Sequence, residues 1–284
     1  MKQRLMCLLS LALLVGFVVS IQPARAADAR CEPEKVATKY PGLAGKTLKV
    51  GVTGDSPPFS YRDPNNFERM TGFVADFARA TFACIGVNFD FAPSPFSGLV
   101  LSVTAGQIDL AWSSLFYNPE RAKAVDFVMY MTGGSGGVVM NANVKKIHSL
   151  DDLCGVRGAS VVGTYELVKL KEVSAACVAA GKPEIEIITT PGRTESLLLL
   201  TNDRADVYLG VGAKLAYDPK IFTLAFVYSN DLRVGVGVKK GNAELERAIY
   251  DSFIVLQANG VEAKLYDTYG LDHELSRKPE IVLE

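Results

Sequence analysis

From residue 48 onward, short apolar runs alternate with stretches whose apolar positions recur every three or four residues. Runs at 48–53, 87–91 and 108–112 predict strands, and 72–84 predicts a helix with Phe73, Phe77 and Ala80 on one face. A shorter apolar segment with Leu99, Leu101 and Val103 predicts a helical turn ending at Gly106. The alternation resumes after a helix-like 149–153: strands at 158–162, 184–189 and 206–209 enclose helices at 165–180 and 194–200. Strands at 222–228 and 233–238 then lead to a helix at 243–259, where Leu245, Ile249, Phe253 and Leu256 share one side and Gly260 closes the end. Such a pattern belongs to the α/β class.

Between the two series the pattern breaks. Residues 127–131 and 138–140 read as extended, and 132–137 reads TGGSGG. No Lys-Ser or Lys-Thr follows the glycines and no helix opens after them, which argues against a phosphate loop. The reading adopted is a crossing between domains, with glycine absorbing backbone rotation. Residues 222–228 would return the chain, so one lobe would comprise 27–132 with 231–284 and the other 133–230. Two crossings, near 131–137 and 226–231, suit hinge closure around a ligand. With 284 residues, nearly half of them hydrophobic, the chain can build two cores.

Charge changes the picture by exclusion. Thirty basic against 31 acidic residues leave a net charge of −1, which implies no nucleic-acid face. Lys2 and Arg4, an apolar run over 5–21 and then Ala24-Arg25-Ala26 read as a cleaved signal peptide spanning 1–26, with an uncleaved anchor as the alternative. Export places the mature chain in the periplasm. Cys7 leaves with the signal, and the four remaining cysteines allow three pairings. Cys31 and Cys154 each precede a strand, and Cys84 and Cys177 lie near the end of the helix that follows. A helix that runs back along its strand favours Cys31 with Cys84 and Cys154 with Cys177, with buried free thiols as the alternative.

Candidate chemistry gathers in 96–127. Ser113, Ser114 and Arg121 are expected just beyond the carboxyl end of the 108–112 strand, where open α/β sheets hold ligands. Two hydroxyls and a guanidinium fork suit a small carboxylate. Asp55 and Ser56, in the Pro-rich loop after the first strand, are candidates for the pocket wall. His148 and His273 stand in polar settings far apart in the sequence, so neither a catalytic triad nor a histidine-rich metal site is expected, and no cofactor is implied.

These stretches, with 51–77, 153–166 (LCGVRGASVVGTYE) and 204–211 (RADVYLGV), resemble the amino-acid type of periplasmic solute-binding protein of ABC importers, the bacterial extracellular solute-binding proteins of family 3. The resemblance implies a two-lobed periplasmic-binding-protein fold with two hinge-crossing strands. It also implies a monomeric, non-enzymatic receptor that hands a small carboxylate to a permease and ATPase complex in the inner membrane. By the same resemblance Arg121 clamps the ligand carboxylate, Ser113 and Ser114 contact the ligand, Phe96 packs on its side chain, and Thr164 and Tyr165 reach it from the second lobe. Four departures matter, the first being that the second threonine of the family's Gly-Thr-Thr segment is Tyr165. The position of the family's ammonium-pairing aspartate, five residues after Asp206, is Val211; the stacking aromatic before the "PPF" is Ser56; and the hydroxyl after Leu115 is Phe116. The expected ligand therefore has no α-ammonium or places it elsewhere. Two other functions fit the same fold. One is a cyclohexadienyl-type dehydratase, with Glu166 or Asp55 as its acid; the other is a sensor that docks on a membrane receptor.

Overall fold

The computed structural model describes residues 30–144, 146–212 and 216–283, so the expected signal segment lies outside the described residues. A one-turn helix α1 (Val36–Lys39) precedes β1 (Thr47–Val52), and a small antiparallel sheet of β2 (Asp55–Ser56), β3 (Ser60–Asp63) and β4 (Asn66–Thr71) follows. Then come α2 (Phe73–Ile85), β5 (Asn88–Pro93), α3 (Leu99–Thr104), β6 (Leu110–Phe116), α4 (Pro119–Ala122) and the long β7 (Val125–Met140). The second series is β8 (Arg157–Val161), α5 (Tyr165–Ala179), β9 (Glu186–Thr190), α6 (Arg193–Thr201) and β10 (Val207–Val211). A second long strand, β11 (Phe222–Lys239), leads back to α7 (Ala243–Ala258), α8 (Val261–Tyr269) and β12 (Ser276–Val282).

The large sheet has the order β5-β1-β6-β11-β7-β10-β8-β9, with β12 also on β7. β1 pairs parallel with β5 and β6, and β8 pairs parallel with β9 and β10. Between these two parallel blocks, β7 and β11 pair antiparallel along most of their length, from Phe222↔Met140 to Lys239↔Val125. Each long strand thus serves both lobes. The buried cores divide in the same way. Phe73, Phe77, Trp112 and Phe253 belong to one lobe, while Leu170, Val207 and Leu209 belong to the other.

Local chemistry fixes the helix ends. Gly72 enters α2 with φ of +106°, and Gly86 closes it in the left-handed region, where a side chain is disfavoured. Thr164 caps α5 by accepting from Leu167 N at 3.2 Å, and Asn242 caps α7. Disulfides join Cys31 to Cys84 and Cys154 to Cys177. The pairing is the one that strand and helix geometry favours.

Several expectations need correction. Ser113 and Ser114 are not beyond the strand: β6 runs through both, because its antiparallel pairing with β11 continues to Phe116↔Val234. Leu101 does not share the buried face of α3 and is 70 % exposed, since two residues of helix turn it roughly 200° away from Leu99. The TGGSGG segment is not a loop but the middle of β7. None of its glycines has positive φ, so backbone rotation is not what selects them there. Close approach is a better reason: a Cβ on Gly134 would lie 2.8 Å from the Ser229 carbonyl oxygen. Residues 62–68 are mostly polar and show no strand pattern, yet they contribute to the hairpin of β3 and β4.

Candidate functional site

The carboxyl ends of the parallel strands converge on one cleft of about 370 Å³. Thr53 and Gly54 follow β1, Pro93 ends β5 with Ser94 just after it, and Ser113, Ser114 and Phe116 come from β6; the opposite wall takes Val161 from β8, Pro191 after β9 and Val211 from β10. Two parallel blocks facing each other through their carboxyl ends make a ligand cleft the default outcome of this topology.

Most residues singled out from sequence line that cleft: Asp55, Ser56, Phe96, Ser113, Ser114 and Phe116 on one side, and Thr164, Tyr165 and Val211 on the other. Their hydroxyls differ in what they have left to offer. Ser113 Oγ is buried and already bonded to Thr53, accepting from its amide at 3.1 Å and sharing a 2.6 Å contact with its hydroxyl. Ser114 has φ of +44°, a region that non-glycine residues rarely adopt. Strain of that kind clusters at binding sites, and here it falls in a residue of the cleft wall. Thr164 Oγ1 donates to Val161 O at 2.8 Å while it caps α5.

Arg121 is not part of the wall. Its guanidinium spans the lobes, donating to Phe116 O and Gly163 O, each at 2.6 Å, and lying 5.3 Å over the Phe96 ring. Desolvation pulls its pKa below the usual arginine value, with the negative charge of Glu166 opposing the shift. Neither Glu120 nor Asp126 holds it: Glu120 pairs with Lys123, and Asp126 with Lys240.

Sequence reasoning missed the second arginine of the site. Arg193 opens α6, is only 5 % exposed and lines the cleft. It donates through Nη1 to Pro57 O at 2.7 Å and stacks over Tyr217 at 4.6 Å. Its backbone N–H and that of Thr194 donate to Asp55 Oδ2 at 2.9 and 3.4 Å, so an acid of one lobe caps a helix of the other. A signal was available, because Arg193 begins the helix directly after a strand whose carboxyl end had to face the ligand.

Glu166, in the first turn of α5, is the buried acid of the cleft at 3 % exposure. It accepts from Ser135 Oγ at 2.6 Å. Burial pushes its pKa up, while hydrogen bonds and the charge of Arg121 oppose the shift. Rings of both lobes close the remaining space: Phe116 meets Tyr165 edge-on with centroids 6.4 Å apart, and Phe96 packs against buried residues of both lobes. A second cavity of about 370 Å³ lies toward the hinge and shares Ser114, Phe116 and Val211 with the cleft.

The sequence pattern of the bacterial extracellular solute-binding proteins, family 3, matches residues 48–272. The chain belongs to this family. The solute-binding protein is 27% identical over 218 residues to the L-cystine-binding protein TcyJ of Escherichia coli strain K12, covering 75% of this chain and 79% of that one. It is 24% identical to the L-arginine-binding protein of Pseudomonas aeruginosa, over 80% of this chain and 88% of the other. Among solved structures, an ancestral arginine-binding protein bound to arginine superposes with a TM-score of 0.73 at 27% identity, covering 80% of this chain and 99% of its own. An ancestral amino-acid-binding protein described as a precursor of cyclohexadienyl dehydratase gives 0.68 at 29% identity, covering 84% and 98%. The family and these relatives are binding proteins rather than enzymes.

Proposed function

We propose that the solute-binding protein captures a small carboxylate-bearing solute, an amino acid or related organic acid, in the periplasm and delivers it to the permease and ATPase complex of an ABC importer. The lobes 27–132 with 231–284 and 133–230 close on the solute through β7 and β11. The observation that carries this reading is the cleft itself, which is built from both lobes, has the buried Arg193 in its wall, and is flanked by Arg121 bridging a carbonyl of each lobe. Arg121 is the clamp. Its guanidinium holds one carbonyl of each lobe and lies over Phe96, a residue of the cleft wall, so a solute carboxylate that recruits the fork ties anion binding to closure. Phe96, Phe116 and Tyr165 receive the apolar part of the solute.

Calorimetry against amino acids and simple organic acids tests this. A charge-assisted hydrogen bond contributes about 1.5 to 3 kcal/mol, so Arg121→Ala is expected to weaken an acidic ligand by at least about tenfold. Equal binding of acids by wild type and Arg121→Ala contradicts the clamp.

A further inference from the structure

Val211 stands where the resemblance leads one to expect an acid, yet the same corner of the cleft holds a carboxylate from another element. Val211 pairs with Ser135 in the antiparallel ladder of β10 and β7, so the two side chains share one face of the sheet. Ser135 Oγ donates to Glu166 Oε1 at 2.6 Å. The carboxylate therefore reaches the neighbourhood of Val211 from the first turn of α5 instead of from β10.

We infer that Glu166 is the specificity-determining receptor for a cationic group of the solute, so that the protein takes a zwitterion whose ammonium or guanidinium lies against the start of α5. This rests on the carboxylate reading above and deepens it. Three observations support it. Among the described residues no salt bridge pairs Glu166, and the Arg121 guanidinium, whose charge it feels, donates to Phe116 O and Gly163 O rather than to the carboxylate. At 3 % exposure burial disfavours the ionised form of this acid, and a cationic ligand brings the counter-charge that restores it. Tyr165 and Tyr208 line the same cleft as Glu166, and aromatic rings attract cations. Asp55 is less suited to the role, since α6 already occupies its Oδ2.

The test uses calorimetry on wild type, Glu166→Gln and the double variant Glu166→Gln with Val211→Asp. The probes are the twenty common L-amino acids and, for each binder, the amine lacking its carboxylate and the acid stripped of its basic nitrogen. Expected is an amino acid that binds wild type, loses at least about tenfold in Glu166→Gln and recovers part of that loss in the double variant, while its stripped acid binds both single forms alike. Glu166→Gln binding amino acids as wild type does, or wild type preferring the stripped acids, overturns the inference and leaves the carboxylate reading intact. Bare amines binding wild type as tightly as amino acids do, with the loss in Glu166→Gln retained, supports Glu166 and overturns the carboxylate reading. Should the variants not fold, the wild-type ranking of amino acid against stripped acid decides alone.

Discussion

The two lobes share a strand and helix plan but fill it differently. The lobe carrying both described chain ends packs rings: Phe77 stacks on Phe253 with centroids 4.9 Å apart, and Trp112 lies edge-on to Tyr130 and donates to its hydroxyl at 3.1 Å. The other lobe holds aliphatic residues on the two sides of its sheet, Val138 and Leu200 on one and Leu170 and Leu209 on the other. Two of its buried rings serve the cleft instead: Tyr208 lines it, and Tyr217 backs Arg193. Buried acids divide similarly. Glu246 and Glu262 lie in the aromatic lobe away from the cleft, whereas Glu166 faces it. The difference separates a platform, whose aromatic interior holds β1 and β6 in place, from a reader that presents Glu166, Arg193, Tyr165 and Tyr208.

Core truncation should break this comparison most strongly. Phe77 is fully buried among four rings, and Phe77→Ala is expected to cost about 4 kcal/mol, against about 3 for Leu170→Ala in the reader lobe. Urea unfolding of the two variants measures the gap. A larger loss at Leu170 would invert the assignment of platform and reader.

The disulfides come next. Cys31 and Cys84 are 53 residues apart and Cys154 and Cys177 are 23 apart. Loop-closure entropy then gives about 4 kcal/mol for the first and about 3 for the second. Replacing each pair by serine and comparing denaturation midpoints checks the order, and a greater loss in the shorter loop would show that native-state contacts outweigh chain entropy.

Much of this plan is legible in the chain, and the exceptions have physical causes. The α/β alternation shows because each helix buries a face, as Phe73 and Phe77 do in α2. The continuity of β7 is hidden, because Gly133, Gly134, Gly136 and Gly137 carry no side chain to register an inward or outward direction. The hairpin strand β4 is also obscure, since Asn66 to Arg69 are exposed and so show no apolar alternation. Beyond the 243–259 helix the pattern gave no element, although α8 and β12 fold there. Within the cleft the sequence locates Asp55, Phe116 and Tyr165 through neighbouring motifs, whereas Arg193 is marked only by its place at the helix start after β9 and by no motif around it. Only the tertiary contacts to Pro57 O and Tyr217 bury it.

Glu262 gives a pH-dependent form of the comparison. Burial raises its pKa from 4.5 to about 7, against the opposing hydrogen bond from Ser276, and one of its oxygens has no partner. A raised pKa in the folded state means that its contribution is full below about 4.5 and is lost as pH rises toward 7. Glu262→Gln should therefore match wild type near pH 4 and exceed it at pH 8, by at most about 3 kcal/mol. Thermal unfolding at the two pH values checks this, and a pH-independent difference would mean that the acid is charged in the folded lobe throughout.

The central claim is that the reader closes a carboxylate against Arg121. Native mass spectrometry of the protein purified from its own host tests it most directly. A bound small solute carrying a carboxylate, present on wild type and absent from Arg121→Ala, is the predicted result. A solute without an acid group, or one retained equally by both proteins, would contradict it.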